Sequence, residues 1–212
     1  MDSRAFIKIL NILRKEAGNW KSPVIEFMAS QGADPFRILV STMLSARTKD
    51  EVTLKSSNNL FTRIHTPEEL IKLKTADIAR LIYPVGFYKT KARHLKQLAA
   101  VLINKFNSLV PSNIDDLLMI PGVGRKTANL VLSRAFDIPA ICVDTHVFRI
   151  CNRLEVTVSS KPEETEKQLM KKIPENYWQD INTILVAFGQ MVCKPVSPHC
   201  KECKVSRLCP FY

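Results

Sequence analysis

An all-α fold with short connections is predicted by three features of the 212-residue sequence. Apolar residues recur at helical spacing in segment after segment. Asp, Ser or Thr followed by proline or glutamate stands where several of those segments begin, as helix N-termini require. Sustained period-two alternation is missing, with Glu155 to Ser159 the one short candidate for a strand. About ten helices are expected from these signals.

Phe6, Ile9, Leu10, Leu13 and Ala17 form one stripe of a first helix, which Gly18 ends. After a loop through Lys21, Ser22 and Pro23 and a short apolar turn, Asp34 and Pro35 give an N-cap with proline at the first helical position. Phe36 to Ala46 is almost wholly apolar, so that helix should be buried on most sides. Thr66-Pro67-Glu68-Glu69 has capping-box spacing and opens a short helix to Lys72. Ala76 to Ile82 makes another, closed before Pro84 and Gly86.

From Thr90, the set Leu95, Leu98, Ala99, Leu102, Ile103 and Phe106 marks one face of a long helix. Lys89, Lys91, Arg93, Lys96 and Lys105 are read as mostly off that face, either solvated or, at the helix start, near a phosphate backbone. Ser112 to Met119 forms a short helix, Arg125 to Phe136 a longer one, and Pro139 breaks the pattern. Asp144 caps a helix over 145–154, Ser160-Lys161-Pro162-Glu163 caps another, and from Tyr177 onward Trp178, Ile181, Leu185, Phe188 and Val192 share a stripe.

The composition narrows the classes of function. A hydrophobic content of 46% suits a packed globular chain. Against 20 Asp plus Glu stand 31 Lys plus Arg, a net charge of +11, which suits either a polyanionic partner or a merely soluble basic surface. No run approaches the roughly 18 apolar residues of a membrane span. The start carries acidic Asp2 and no signal-type cleavage site, so an intracellular protein is expected. Four of the six cysteines fall in the last twenty residues, a pattern that in a reducing compartment suggests metal ligation more than disulfides.

Two stretches carry chemistry. Pro121-Gly122-Val123-Gly124 cannot continue a helix, yet helical patterns flank it, so it reads as a tight hairpin between two helices. The backbone amides at the start of the following helix, at the positive end of its dipole, suit an anion such as a phosphate. Lys126 lies in that first turn, and Asp144 follows it by eighteen residues. The second stretch is Cys193, Cys200, Cys203 and Cys209, spaced C-x6-C-x2-C-x5-C and interleaved with prolines. Structural zinc, a disulfide pair and a [4Fe-4S] centre are the candidates. Zinc ligands usually come as two close pairs, and only Cys200 and Cys203 form one here. Cys142 and Cys151, among Ile141, Val143 and Ile150, read as core residues.

Taken together, LLMIPGVGRKTAN, VDTHVFR and the C-terminal cysteine spacing resemble the endonuclease III family of DNA repair glycosylases. FRILVSTMLSARTKD and GFYKTKA extend the resemblance, in family order, over most of the chain. The resemblance implies the helix-hairpin-helix DNA glycosylase fold, with two helical domains flanking a DNA-binding cleft and a C-terminal iron-sulfur cluster loop. The barrel domain with the hairpin would span 28–138, and the second domain 1–27 with 139–212.

On that pattern Lys126 matches the catalytic lysine, Asp144 the catalytic aspartate, and the four cysteines the ligands of a [4Fe-4S] cluster. Gly122, Val123, Gly124 and Arg125 would meet DNA at the hairpin, with a monovalent cation bound there in some relatives. Arg47 and Phe87, which follow the LSA and GFY positions, would fill the gap left by an extruded base. Many relatives carry glutamine and leucine at these two positions. His146 and Arg149 would serve structure or phosphate contact. The implied protein is a monomer of the cytoplasm or nucleoid, acting on double-stranded DNA with damaged bases or abasic sites. It would excise oxidised pyrimidines and cut 3′ to the abasic site. The alternatives are a monofunctional glycosylase for thymine or uracil opposite guanine, which often has tyrosine in place of the lysine, and a non-catalytic DNA-binding iron-sulfur protein.

Overall fold

A computed structural model describes residues 1–212, which form twelve α-helices and three short 3-10 turns with no strand. The helices are α1 (Ser3–Ala17), α2 (Val24–Ser30), α3 (Pro35–Ser45), α4 (Asp50–Phe61), α5 (Pro67–Lys72), α6 (Thr75–Ile82), α7 (Tyr88–Phe106), α8 (Ile114–Leu118), α9 (Arg125–Ala135), α10 (Thr145–Arg153), α11 (Pro162–Lys172) and α12 (Trp178–Met191). No helix is long and apolar enough to cross a membrane. The chain divides into two compact units, Val24–Ile138 and Met1–Pro23 with Pro139–Tyr212.

In the unit Val24–Ile138, α3 is the central helix. Eight of its eleven residues, Phe36 and Ile38 to Leu44, are buried. It packs on α4 and α9, while α7 packs on α5 and α6. The Asp34 side chain accepts the Arg37 N–H at 2.9 Å, the N-cap that its sequence announces. On α5 the Thr66 hydroxyl accepts from the Glu69 N–H at 3.3 Å, and the Glu69 carboxylate accepts from the N–H of His65 at 2.5 Å, one residue outside the usual box. Arg134 on α9 meets Glu26 on α2 at 2.5 Å with its side chain only 9% exposed, joining two helices by a largely desolvated pair.

Helix α4 has no counterpart among the predicted elements. Its buried residues are Thr53, Ser56, Ser57, Leu60 and Phe61, so small hydroxyl side chains occupy most of the face that would otherwise show an apolar stripe. α2 likewise exceeds the short turn expected there.

The other unit is built on α12, which packs against α10 and α1. Phe6, Leu10 and Leu13 from α1 join Ile150, Leu185 and Phe188 in one core. Trp20 stacks on Phe188 with ring centroids 5.9 Å apart. Cys142 and Cys151 are buried here, as their apolar neighbours imply.

The one short strand candidate, 155–159, is not a strand. Glu155 takes the left-handed conformation at φ 54, and the N–H groups of Val156 and Thr157 turn back to the Cys151 carbonyl at 3.1 and 3.4 Å. The segment finishes a helix instead of pairing with a partner strand. One cap differs from expectation: Lys161, without a side-chain bond, and not Ser160, precedes α11. α8 starts two residues later than expected, under an Asn113 cap.

Leu95, fully buried on α7, should cost about 2–5 kcal/mol when replaced by alanine. Leu109→Ala, at a side chain 70% exposed, should change stability by less than about 0.5 kcal/mol. Urea unfolding midpoints of the two variants provide the comparison.

Candidate functional site

The hairpin closes on a hydrogen bond from the Val123 N–H to the Ile120 carbonyl at 3.0 Å. Gly122 has φ +84, a region that side chains rarely adopt. A Cβ added there would lie 2.6 Å from His94 Nδ1 and 2.9 Å from Met43 Cε, so α7 and α3 sit directly beneath the turn. Val123 is 7% exposed and anchors the turn inward. Of the four hairpin positions implied to meet DNA, Gly122, Gly124 and Arg125 are exposed, and Val123 could contribute only through its backbone.

Gly124 is the N-cap of α9, and no side chain caps that helix. Nothing lies within 4 Å of where a Gly124 Cβ would be. The first turn of α9 holds no carboxylate and opens with Arg125 and Lys126, both exposed. α1, α3, α8 and α10, by contrast, each begin under an Asp or Asn side chain. A helix start with uncapped amides, two cations and open space is suited to an anion.

Asp144 lies in the other unit as the N-cap of α10. Its Oδ1 accepts the N–H groups of His146 at 2.9 Å and Val147 at 2.8 Å, which fixes the carboxylate in one orientation while leaving it partly exposed. The capping role and the catalytic role of this residue are compatible, because both capping bonds use one oxygen.

Arg47 and Phe87, forty residues apart in sequence, meet at the surface. The Arg47 guanidinium carbon lies 5.5 Å from the Phe87 ring centroid. Phe87 is 63% exposed, so its ring is not part of the core.

Cys193, Cys200, Cys203 and Cys209 line a single pocket, walled by Ile150, Leu154 and Val205 among others. They form no disulfide. Arg153 donates to Cys193 Sγ at 3.3 Å and to the carbonyls of Lys194 and Pro195 at 2.8 and 2.9 Å. One face of Arg153 also lies over Phe211 at 4.4 Å. Arg149 donates to the carbonyls of Cys193 at 2.8 Å and Gly189 at 3.2 Å, and burial pulls its pKa down. Burial pushes the thiols of Cys203 and Cys209 up, and the neighbouring cysteines add to it. No three His, Cys, Asp or Glu side chains converge closely enough to hold a single metal ion. The four cysteines are therefore a donor set spread around a pocket rather than focused on one point.

Lys91 is the residue that the sequence reading misplaced. It is 8% exposed, and burial lowers its pKa to about 8. The signal was present in its spacing, since Lys91 precedes Leu95, Leu98 and Leu102 by four, seven and eleven residues and so continues the apolar stripe.

Residues 40–175 match the family model of HhH-GPD superfamily base excision DNA repair proteins. The chain is 48% identical over 179 residues to endonuclease III of Thermotoga maritima, covering 84% of each protein. It is 44% identical to the chloroplastic endonuclease III homolog 1 of Arabidopsis thaliana, over 82% of this chain but only 48% of that longer protein. Among solved structures, endonuclease III in a trapped covalent intermediate with DNA, an estranged-adenine complex, superposes with a TM-score of 0.91 at 35% identity, over 100% of this chain and 97% of that one.

Gly122→Ala should destabilise the protein by about 1–3 kcal/mol, through both its positive φ and the contact with His94. Gly124→Ala should cost less than about 1 kcal/mol, the modest difference between glycine and alanine at an N-cap. Thermal denaturation of the two variants is the check.

Proposed function

Because the chain belongs to the endonuclease III family of HhH-GPD base excision DNA repair proteins, we propose that it removes oxidised pyrimidines from duplex DNA and then cuts the strand through a Schiff base on Lys126. The carrying observation is the exposure of Lys126 in the first turn of α9, directly behind the Gly122–Gly124 turn and beside Arg125. The exposed backbone of the turn and the uncapped start of α9 would take a phosphate of the damaged strand, and a monovalent cation beside the turn would add charge for the same phosphate.

Extrusion of the damaged nucleotide costs a few kcal/mol, less for a damaged or mispaired base. Arg47 and Phe87 are suited to fill the vacated space, one by stacking its guanidinium plane and the other its ring. The amine of Lys126 attacks C1′ as the bond from C1′ to the base breaks, and the base leaves with that electron pair and collects a proton. Opening of the sugar yields the protonated Schiff base. Loss of a proton from C2′ then expels the 3′ phosphate, and water releases the unsaturated aldehyde from the lysine. Asp144, held by its own helix start, would offset positive charge on the sugar as the base departs and accept a proton from the attacking amine.

Cys193, Cys200, Cys203 and Cys209 would hold the [4Fe-4S] cluster of this family. Such a cluster takes one thiolate at each iron, which suits four sulfurs set around a pocket, whereas zinc needs them all about 2.3 Å from one centre. The guanidinium of Arg153 beside Cys193 would offset the negative charge of a thiolate-bound cluster. The cluster would supply a structural tie for the C-terminal loop, and no step of the base chemistry depends on it. Work on chromosomal DNA would place the protein inside the cell.

Lys126 separates this reading from a mismatch glycosylase without lyase activity. Borohydride should trap a covalent adduct with abasic duplex DNA, and Lys126→Ala should abolish it; base release at wild-type rate with no trapped species would remove the lyase assignment. Purified protein should be brown and contain about four irons and four inorganic sulfides per chain. One zinc and no sulfide in metal analysis would exclude the cluster.

A further inference from the structure

Arg47 and Phe87 share an unusual backbone as well as a surface. Their φ values are 54 and 58, left-handed in both cases, a region in which an arginine or phenylalanine is strained. One follows the end of α3 and the other opens α7. Neither conformation is explained by the side chain's own contacts, since both side chains are exposed.

The explanation lies underneath. Lys91 Nζ donates to the carbonyls of Leu44 at 2.7 Å and Ala46 at 2.5 Å and to the Thr48 hydroxyl at 3.2 Å, acceptors that bracket Arg47 on both sides. The same Thr48 hydroxyl accepts from the N–H of Gly86 at 3.1 Å, next to Phe87. Gly86 permits the close approach, because a Cβ there would lie 2.5 Å from the Arg47 carbonyl oxygen. One buried amine thus joins the shoulders of both strained residues, and a buried polar group that loses its hydrogen-bond partners carries an uncompensated desolvation cost.

We infer that Lys91 is a positioning residue: through Thr48 and the carbonyls of Leu44 and Ala46 it holds Arg47 and Phe87 side by side as a preformed wedge for the DNA duplex. This inference rests on the gap-filling reading of Arg47 and Phe87. A preformed wedge spares the ordering of two flexible side chains on binding, so its loss should appear where a stacked duplex must be opened and not where the strand is already unstacked.

The test uses the full chain, with 2-aminopurine opposite an abasic analogue in a duplex and borohydride trapping on single-stranded abasic DNA. Arg47→Ala and Phe87→Ala should each suppress the fluorescence rise that reports unstacking. Lys91→Met should suppress it too and slow base release from lesion duplex about tenfold or more, with single-strand trapping within about twofold of wild type. Combining Lys91→Met with Arg47→Ala should add little, because the two act through one element. If Arg47→Ala and Phe87→Ala leave the fluorescence rise intact, the wedge reading fails and the inference goes with it. If they suppress it but Lys91→Met does not, or if Lys91→Met slows single-strand trapping as much as duplex cleavage, the positioning role alone is overturned. Should Lys91→Met not fold, Thr48→Val carries the test: the same split supports the role, and wild-type behaviour overturns it.

Discussion

Gly122 has no room for a side chain, and the hairpin depends on that constraint. Its positive φ helps turn the chain between Ile120 and Val123, and the imidazole of His94 and the methyl of Met43 occupy the space a Cβ would take. The turn is therefore seated on α7 and α3, two helices already committed to the core. A tight, supported turn delivers the start of α9 in a fixed direction. With glycine at the cap, leaving that start without a side-chain bond costs only about a few tenths of a kcal/mol of helix stability, and its open amides suit an anion.

The basic excess has two uses that a charge count merges. Several cations are turned inward, onto backbone carbonyls that no helix partner satisfies. Lys91 serves the end of α3, Lys96 donates to the carbonyls of Ile71 and Leu73 behind α5, and Lys172 donates to Val156 at 2.6 Å. Arg149 and Arg153, one helical turn apart on α10, hold the segment 193–195 that begins the cysteine loop. These groups contribute to a charge of +11 yet act as fasteners, each a charge-assisted hydrogen bond in a partly desolvated place. Arg125 and Lys126, by contrast, are exposed at the hairpin.

Much of this was legible beforehand, and the gaps have a common origin. Asp34, Thr66 and Asp144 mark helix starts because a short polar side chain satisfies amides two or three residues away, a relation contained in the local sequence. α4 was illegible because Thr53, Ser56 and Ser57 are buried by neighbouring helices despite their hydroxyls. Residues 155–159 look like a strand only if a neighbouring strand exists, and the chain offers none. Lys91 reads as surface by its charge, although its spacing places it on the apolar face.

By itself the sequence determined the helical class, the turn at Pro121 to Gly124, the lysine behind it, the aspartate at a helix start and the four-cysteine loop. These rest on relations spanning a few residues, on which backbone geometry acts directly. Tertiary structure alone decided which acceptors the buried Lys91 meets, all three more than forty positions earlier in the chain. It also decided that Arg47 and Phe87 stand together in left-handed backbone, and that Val123 is buried while Gly122 and Gly124 are exposed. The physical reason is that a buried charge or a strained dihedral persists only where distant backbone surrounds it, and local sequence carries no record of which distant atoms will arrive.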